Sequence, residues 1–306
     1  MTFPLPQDDS SLDPKNNWLK RYIEVQKLYD KKVVKALQRA QYDATKAMNK
    51  LDGDNISART KRYQTHLVRN ELRGIVKNMF QGFVPVINAG QQDAAEAAAQ
   101  AALKKDAKVL KALFPDPDDR KSWELSFKQS ARHGIGAMIM RVTKTELPLS
   151  KRIYKSSAFA TGTLNNTINS HIARGSSAKE LAKAVEKHFR KDVPGGVSYA
   201  AMRLARTEIN NAFHAMSIEA VQQFPWILDM EWHLSLSHGE EGCLCEFYAE
   251  ERYFLIDEVP PKPHPQCMCY VTPQGIPFAD FVTNMKAGLY DDFYENAFGN
   301  TSIKSA

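Results

Sequence analysis

The sequence predicts a mainly α-helical protein, a long N-terminal helical arm or bundle followed by a small α+β module with a Cys/His cluster. Three observations predict it. Apolar residues recur at helical spacing from Asn17 onward, and strand-like alternation sets in only after Trp226. All four cysteines of the 306-residue chain lie between Cys243 and Cys269. Charge is unevenly spread: Lys15 to Lys77 hold sixteen Lys/Arg against six Asp/Glu, whereas Asp229 to Glu258 hold nine acidic residues and Arg252 alone.

The expected division is a helical region over 1–150, the module over 151–275 and a tail over 276–306. A hydrophobic share of 43% and a charged share of 25% suit a folded soluble protein rather than a disordered one. No apolar run approaches ~18 residues, so no membrane partner is expected. The N-terminus has neither a basic start nor an apolar core, which argues against a signal peptide. A reducing cytoplasm is therefore expected, where clustered thiols favour metal binding or catalysis over disulfides.

Residues 1–14 read as extended, with Asp13-Pro14 as a helix-entry signal. Leu19, Tyr22, Ile23, Tyr29, Val33, Leu37, Ala40, Ala44 and Met48 then mark a helix of roughly nine turns, broken at Asp52-Gly53-Asp54-Asn55. A second helix is expected from Ser57 to about Phe80, and a third, rich in alanine, over 85–113. Pro115-Asp116-Pro117 ends that one, and the next starts near Lys121. Pro148 is a further boundary, and Gly162 is a candidate interruption of the helix from Leu149 to Arg174. Ser177 with Glu180 three residues later forms a capping box for a helix over 178–189. After the loop at Pro194-Gly195-Gly196, a longer helix opens at Ser198 and is stopped by Pro225. Strands are expected near Trp226–Leu236, Phe254–Ile256 and Cys269–Val271, and one last helix after Pro277.

Cys243, Cys245, Cys267 and Cys269, with His264, admit three structural explanations. Zinc takes four tetrahedral Cys/His ligands, commonly as two pairs on separate turns, and the Pro260–Pro265 run would hold His264 and Cys267 in one turn. Disulfides formed late, outside the cell, are the second. Four buried thiols acting as small hydrophobes are the third. A catalytic reading would group His233, His238 and His264 with Glu240, Glu241 and Cys243 in a metal-dependent nuclease or thiol hydrolase. The acidic surroundings argue against a cysteine nucleophile, because they raise thiol pKa values.

On the helix carrying Ala205-Arg206-Thr207-Glu208, Arg206 and Glu208 are two apart and do not share a face. Each is expected to tie the helix to a separate neighbour, Arg206 to the acidic β unit. Asn210, Asn211 and His214 continue the polar stripe.

Taken in order, Gly175-Ser176-Ser177, Ala205-Arg206-Thr207-Glu208, a strand bearing Trp232, a Cys pair and His264-Pro265-Gln266-Cys267-Met268-Cys269 resemble the Mu F-like minor head proteins of tailed phages, the phage head morphogenesis family. The resemblance covers roughly residues 150–275. It departs from the family at Cys243-Leu244-Cys245, where Cys-x-x-Cys with upstream Asp and Arg is usual, and at Met268, where Arg is usual. It implies a non-catalytic minor capsid component of the virion, assembled in the host cytoplasm and located inside the capsid near the portal vertex. Its implied partners are the portal protein and the major capsid or scaffolding protein, and its role is in head assembly and DNA packaging or delivery. The basic N-terminal side chains, Lys20, Arg21, Lys31, Lys32, Lys35, Arg39, Arg59, Lys61 and Arg62, are the candidate contacts to double-stranded DNA or to an acidic partner.

Overall fold

The computed structural model describes residues 19–51, 58–143, 149–174, 176–190, 196–235 and 242–298. The expected extended start, the break at Asp52–Asn55, the opening at Ser57, the Pro148 boundary and Pro194-Gly195 lie outside the described residues. The architecture is mainly helical, with ten α-helices and one three-stranded antiparallel sheet among the described residues. In chain order the helices before the sheet are α1 (Leu19–Met48), α2 (Ala58–Lys105), α3 (Ala107–Leu113), α4 (Pro117–Thr143), α5 (Leu149–Ala173), α6 (Ala178–Phe189) and α7 (Val197–Gln222). The rest alternates β1 (Ile227–His233), α8 (Leu244–Glu251), β2 (Tyr253–Leu255), β3 (Tyr270–Gly275), α9 (Phe278–Lys286) and α10 (Asp291–Phe298). Among the described residues, no helix is long and apolar enough to cross a membrane.

Several expected boundaries move. The helices expected to separate between Phe80 and residue 85 are one helix, α2, which runs through Pro85. A proline inside a helix costs ~3 kcal/mol, but Phe80, Phe83 and Ile87 on either side of it are fully buried. Their burial, worth about 1.5–3 kcal/mol each, outweighs the lost hydrogen bond. The alanine-rich helix ends at Lys105, and Asp106 separates it from α3. Helix α4 starts at Pro117 rather than near Lys121, because proline suits a first helical position and the Asp116 carboxylate accepts from the Asp118 amide at 2.7 Å. Gly162 interrupts nothing in α5. The expected single last helix is two, α9 and α10, separated at Gly288 with φ of 78°.

The described residues divide into two compact units, one drawn from 26–51, 58–89, 149–174, 176–190 and 196–208, the other from 19–25, 90–143, 209–235 and 242–298. Both draw on residues either side of position 150. In the first unit, α1 and α2 contribute Val33, Leu37, Leu72, Val76 and Phe80 to a single apolar core. Ile153, Leu164 and Ile168 of α5, Leu181, Val185 and Phe189 of α6 and Leu204 of α7 complete it. The i, i+4 spacing of Leu181, Val185 and Phe189 places them on one face of α6. That helix begins with the expected capping box, in which the Ser177 hydroxyl and the Glu180 carboxylate each satisfy the other's backbone amide.

Two buried ion pairs tie α7 into this unit. Arg152 donates to Glu208 at 2.7 Å, and Glu208 is only 2% exposed. Burial pushes the Glu208 carboxyl up, and the Arg152 guanidinium offsets that. Arg206 grips both carboxylate oxygens of Asp30 on α1 through Nε and Nη2 at 2.8–3.2 Å. The two side chains do find separate neighbours. The expected partner of Arg206, however, is the acidic β unit, and Asp30 takes its place as a carboxylate already buried on α1. Thr207 bonds its own helix, at the Arg203 carbonyl.

The second unit is built on aromatic contacts. Trp123 and Phe127 of α4 stack at 5.3 Å, Phe127 meets Phe224, and Phe224 stacks on Trp226 at 5.0 Å. Phe281 of α9 and Phe293 of α10 close on Trp226 edge-to-face at 5.6 and 5.2 Å. The tail residues thus dock on the chain's own entry to the sheet. The sheet order is β2-β1-β3, with Met230 and Trp232 of β1 opposite Pro273 and Val271 of β3.

Replacing Arg152 by Ala removes the cation of a buried carboxylate, and a loss of about 3 kcal/mol is expected in urea unfolding. Glu208→Gln should cost less, since the guanidinium left without its carboxylate is more exposed than Glu208, 19% against 2%, and can still donate to the amide oxygen. Equal, near-zero losses for both variants would contradict this account.

Candidate metal centre

The first cysteine pair is placed by a helix that the periodicity of the sequence does not reveal. Cys243 is the N-cap of α8, its sulfur accepting from the Cys245 amide at 3.5 Å, while the Glu246 carboxylate reaches back to the Gly242 amide at 2.9 Å. The cysteine thus caps the second amide of the helix, and Glu246 ties the residue before the cap to the first turn. The residue pair Cys243…Glu246 is the available signal, hidden because cysteine is not an ordinary N-cap.

The second pair is placed by a turn. The Cys267 amide donates to the His264 carbonyl at 3.3 Å, and Gln266 has φ of 62°. Proline at the second position and positive φ at the third are the marks of a type II turn. It holds His264 and Cys267 together, and Cys269 follows at the entrance to β3, its sulfur accepting from the Ser235 amide at 3.4 Å.

These two pieces meet at Cys245. Its sulfur lies 3.3 Å from His264 Nε2 and 3.5 Å from the Cys267 sulfur. Two groups could hold a metal ion: Cys243, Cys245 and His264, and Cys245, Cys267 and Cys269. All five residues singled out in the sequence therefore belong to one cluster, with Cys245 shared. Cys245, Cys267 and Cys269 are buried, and no disulfide joins the described cysteines.

The surroundings are built to hold this loop. Asn210 of α7 donates to the Cys267 carbonyl at 3.0 Å, and His214, one turn later, bonds the Pro260 carbonyl at 3.0 Å. Burial pushes the His214 imidazole down to about 4, so it stands neutral and donates from Nε2. Trp232 is buried beside it, ring centroids 5.7 Å apart, and also meets Tyr248 of α8 at 5.1 Å. Lys262 reaches inward to donate to the Cys267 and Cys269 carbonyls at 2.9 and 2.8 Å. Asn210 and His214 are legible in the sequence as a polar stripe without a role. Lys262 is not among the expected site residues, and a lone lysine among prolines is its only signal.

The buried thiols shift one another through their mutual hydrogen bonds, with Cys269 pushed up to about 11. Hydrogen bonds from Cys245 and Cys269 hold the Cys267 thiol well below the ordinary thiol range, with Lys262 adding to the effect. Cys245 is pushed up by its hydrogen bonds with Cys267 and Cys269 and by burial. The expectation that acidic surroundings raise the thiols is thus corrected at Cys267, where neighbouring donors and a lysine, not carboxylates, decide.

Of the residues in the catalytic grouping, Cys243 and His264 share one of the two candidate metal groups, and His233 stands apart from both. His233 bonds the Thr272 hydroxyl at 2.8 Å, lies 3.7 Å from Glu231 and stacks on Tyr270, and it belongs to neither metal group. His238, Glu240 and Glu241 lie outside the described residues. Along α1, Lys20, Arg21, Lys31, Lys32, Lys35 and Arg39 are exposed, with Arg21 near Glu24 and Lys32 over the Tyr29 ring. The side chains of Arg59, Lys61 and Arg62, at the start of α2, lie outside the described set.

Gln266 carries the strained angle of the ligand turn. Gln266→Gly should leave metal affinity unchanged, whereas Gln266→Val, β-branched at positive φ, should lower stability by ~1–2 kcal/mol and weaken metal uptake. Chelator competition and thermal melts read both effects.

Comparison of the chain with known protein families, with curated proteins and with solved structures finds no match.

Proposed function

We propose that this chain is a minor capsid protein of a tailed phage, of the Mu F-like head morphogenesis type, and that it works without catalysis. It would sit inside the capsid near the portal vertex, against the portal and the major capsid or scaffolding protein, and assist head assembly and DNA packaging or delivery. One observation carries the reading. The polar stripe after Glu208 has a structural role: Asn210 and His214 grip the loop that presents His264 and Cys267. Every one of these side chains is engaged in holding structure. That favours a scaffold over a reaction centre.

In this reading the cluster holds zinc as a structural staple. Thiolate and imidazole donors suit zinc, and a four-ligand site closed by protein groups leaves no position for substrate. The exposed basic side chains of α1 supply a second contact. Lys31, Lys35 and Arg39 recur every four residues and share a face, suited to phosphates or to an acidic portal surface.

Protein purified without reductant or added metal should contain one zinc per chain, with thiols that become reactive only on chelation. Absence of metal with all thiols reactive would overturn the staple and restore the nuclease or thiol hydrolase alternative, for which His264→Ala abolishes turnover rather than lowering stability. Co-expressed with the portal and major capsid proteins of the same genome, the chain should sediment with procapsids in low copy. Its exclusion from the particle would sink the capsid assignment. Duplex DNA binding, if α1 provides it, should weaken with salt, and neutralising Lys31, Lys35 and Arg39 should reduce the log–log slope by about 0.9 for each phosphate left without its cation.

A further inference from the structure

The cluster offers five donors to an ion that takes four. We infer that the ligand set is Cys245, His264, Cys267 and Cys269, and that Cys243 stays outside it as the N-cap of α8. The inference rests on the zinc reading above and sharpens it.

Cys245 is the fixed point. The ligand–ligand edges of a tetrahedral zinc site with three sulfurs and one nitrogen are about 3.6–3.8 Å. Cys245 already stands 3.3 Å from His264 Nε2 and 3.5 Å from the Cys267 sulfur, and it groups with both Cys267 and Cys269. Three thiols are therefore assembled, and the fourth place lies between His264 and Cys243.

His264 is prepared for it. Its Nδ1 lies 3.0 Å from the Pro265 carbonyl, an acceptor, so Nδ1 carries the proton and Nε2 presents its lone pair towards Cys245. A backbone acceptor on the far nitrogen is the usual orienting contact of a metal-bound imidazole. His264 also shares its turn with Cys267, so the two donors are held on one short stretch of backbone, and Cys245 links them. Cys243 has different work. Its sulfur caps the Cys245 amide, and drawing it to the Cys267–Cys269 side would undo the first turn of α8. It is also the one cysteine of the four that is not buried.

Cobalt substitution of the full-length chain tests the set. The expected result is one Co2+ per chain with charge-transfer absorption of three thiolates, unchanged in Cys243→Ser. In His264→Ala the d–d bands should shift and the affinity should fall at least tenfold. Loss of one thiolate's absorption in Cys243→Ser would overturn the assignment in favour of four cysteines. X-ray absorption of the zinc-loaded wild-type chain decides the same point without mutation, since three sulfurs and one nitrogen support the set and four sulfurs refute it. Failure of the wild-type chain to take up either metal would instead strike the zinc reading itself, a different and separable outcome.

Discussion

The structure depends on a constraint carried by one helix: α7 buries Glu208, Asn210 and His214, and each finds a partner where it lies. Glu208, Asn210 and His214 are nearly inaccessible to water, and Arg206 is largely so. An unpaired charge or amide at such depth costs several kcal/mol, more than most single apolar contacts return. The partners are accordingly specific. Arg152 and Asp30 answer the charges in one unit, and the Cys267 and Pro260 carbonyls answer the amide and imidazole in the other. Because the second pair of partners belongs to the ligand loop, the same helix that must be satisfied also positions the candidate metal centre.

The centre itself joins two local devices. A helix N-cap sets Cys243 and Cys245, and a proline-led turn sets His264 and Cys267. Neither device brings the pairs together. That is done by the sheet, in which β1 stands between β2 and β3, so the chain leaving β1 through α8 and the chain entering β3 lie side by side. Lys262 then ties the Cys267 and Cys269 carbonyls of the loop together. A metal held by these thiols would couple its binding to the folding of this loop.

Much of this arrangement is legible in short stretches of the chain. Helical spacing of apolar residues, the Ser177 capping box, the change of period after Trp226 and the crowding of thiols with His264 are local signals, and the elements they mark are present. Pro85 misleads because local propensity cannot weigh the burial of Phe80, Phe83 and Ile87 against one missing amide. Helix α8 escapes notice because its cap is a cysteine, and eight residues are too few for periodicity to speak. For Arg206 the spacing shows that a partner of its own is needed but not which one, since Asp30 lies far along the chain.

What a few consecutive residues can decide is therefore written in the sequence: where helices run, where they are capped, which side of each faces inward, and which residue types can bind a metal. Pairings between distant residues are settled by the tertiary fold alone. The Arg206–Asp30 and Arg152–Glu208 pairs, the role of Lys262 and the meeting of the two cysteine pairs at Cys245 all depend on which buried groups face each other. Chain order does not encode that, because burial, and with it the strength of every charge and hydrogen bond, exists only once the helices and the sheet have closed around them.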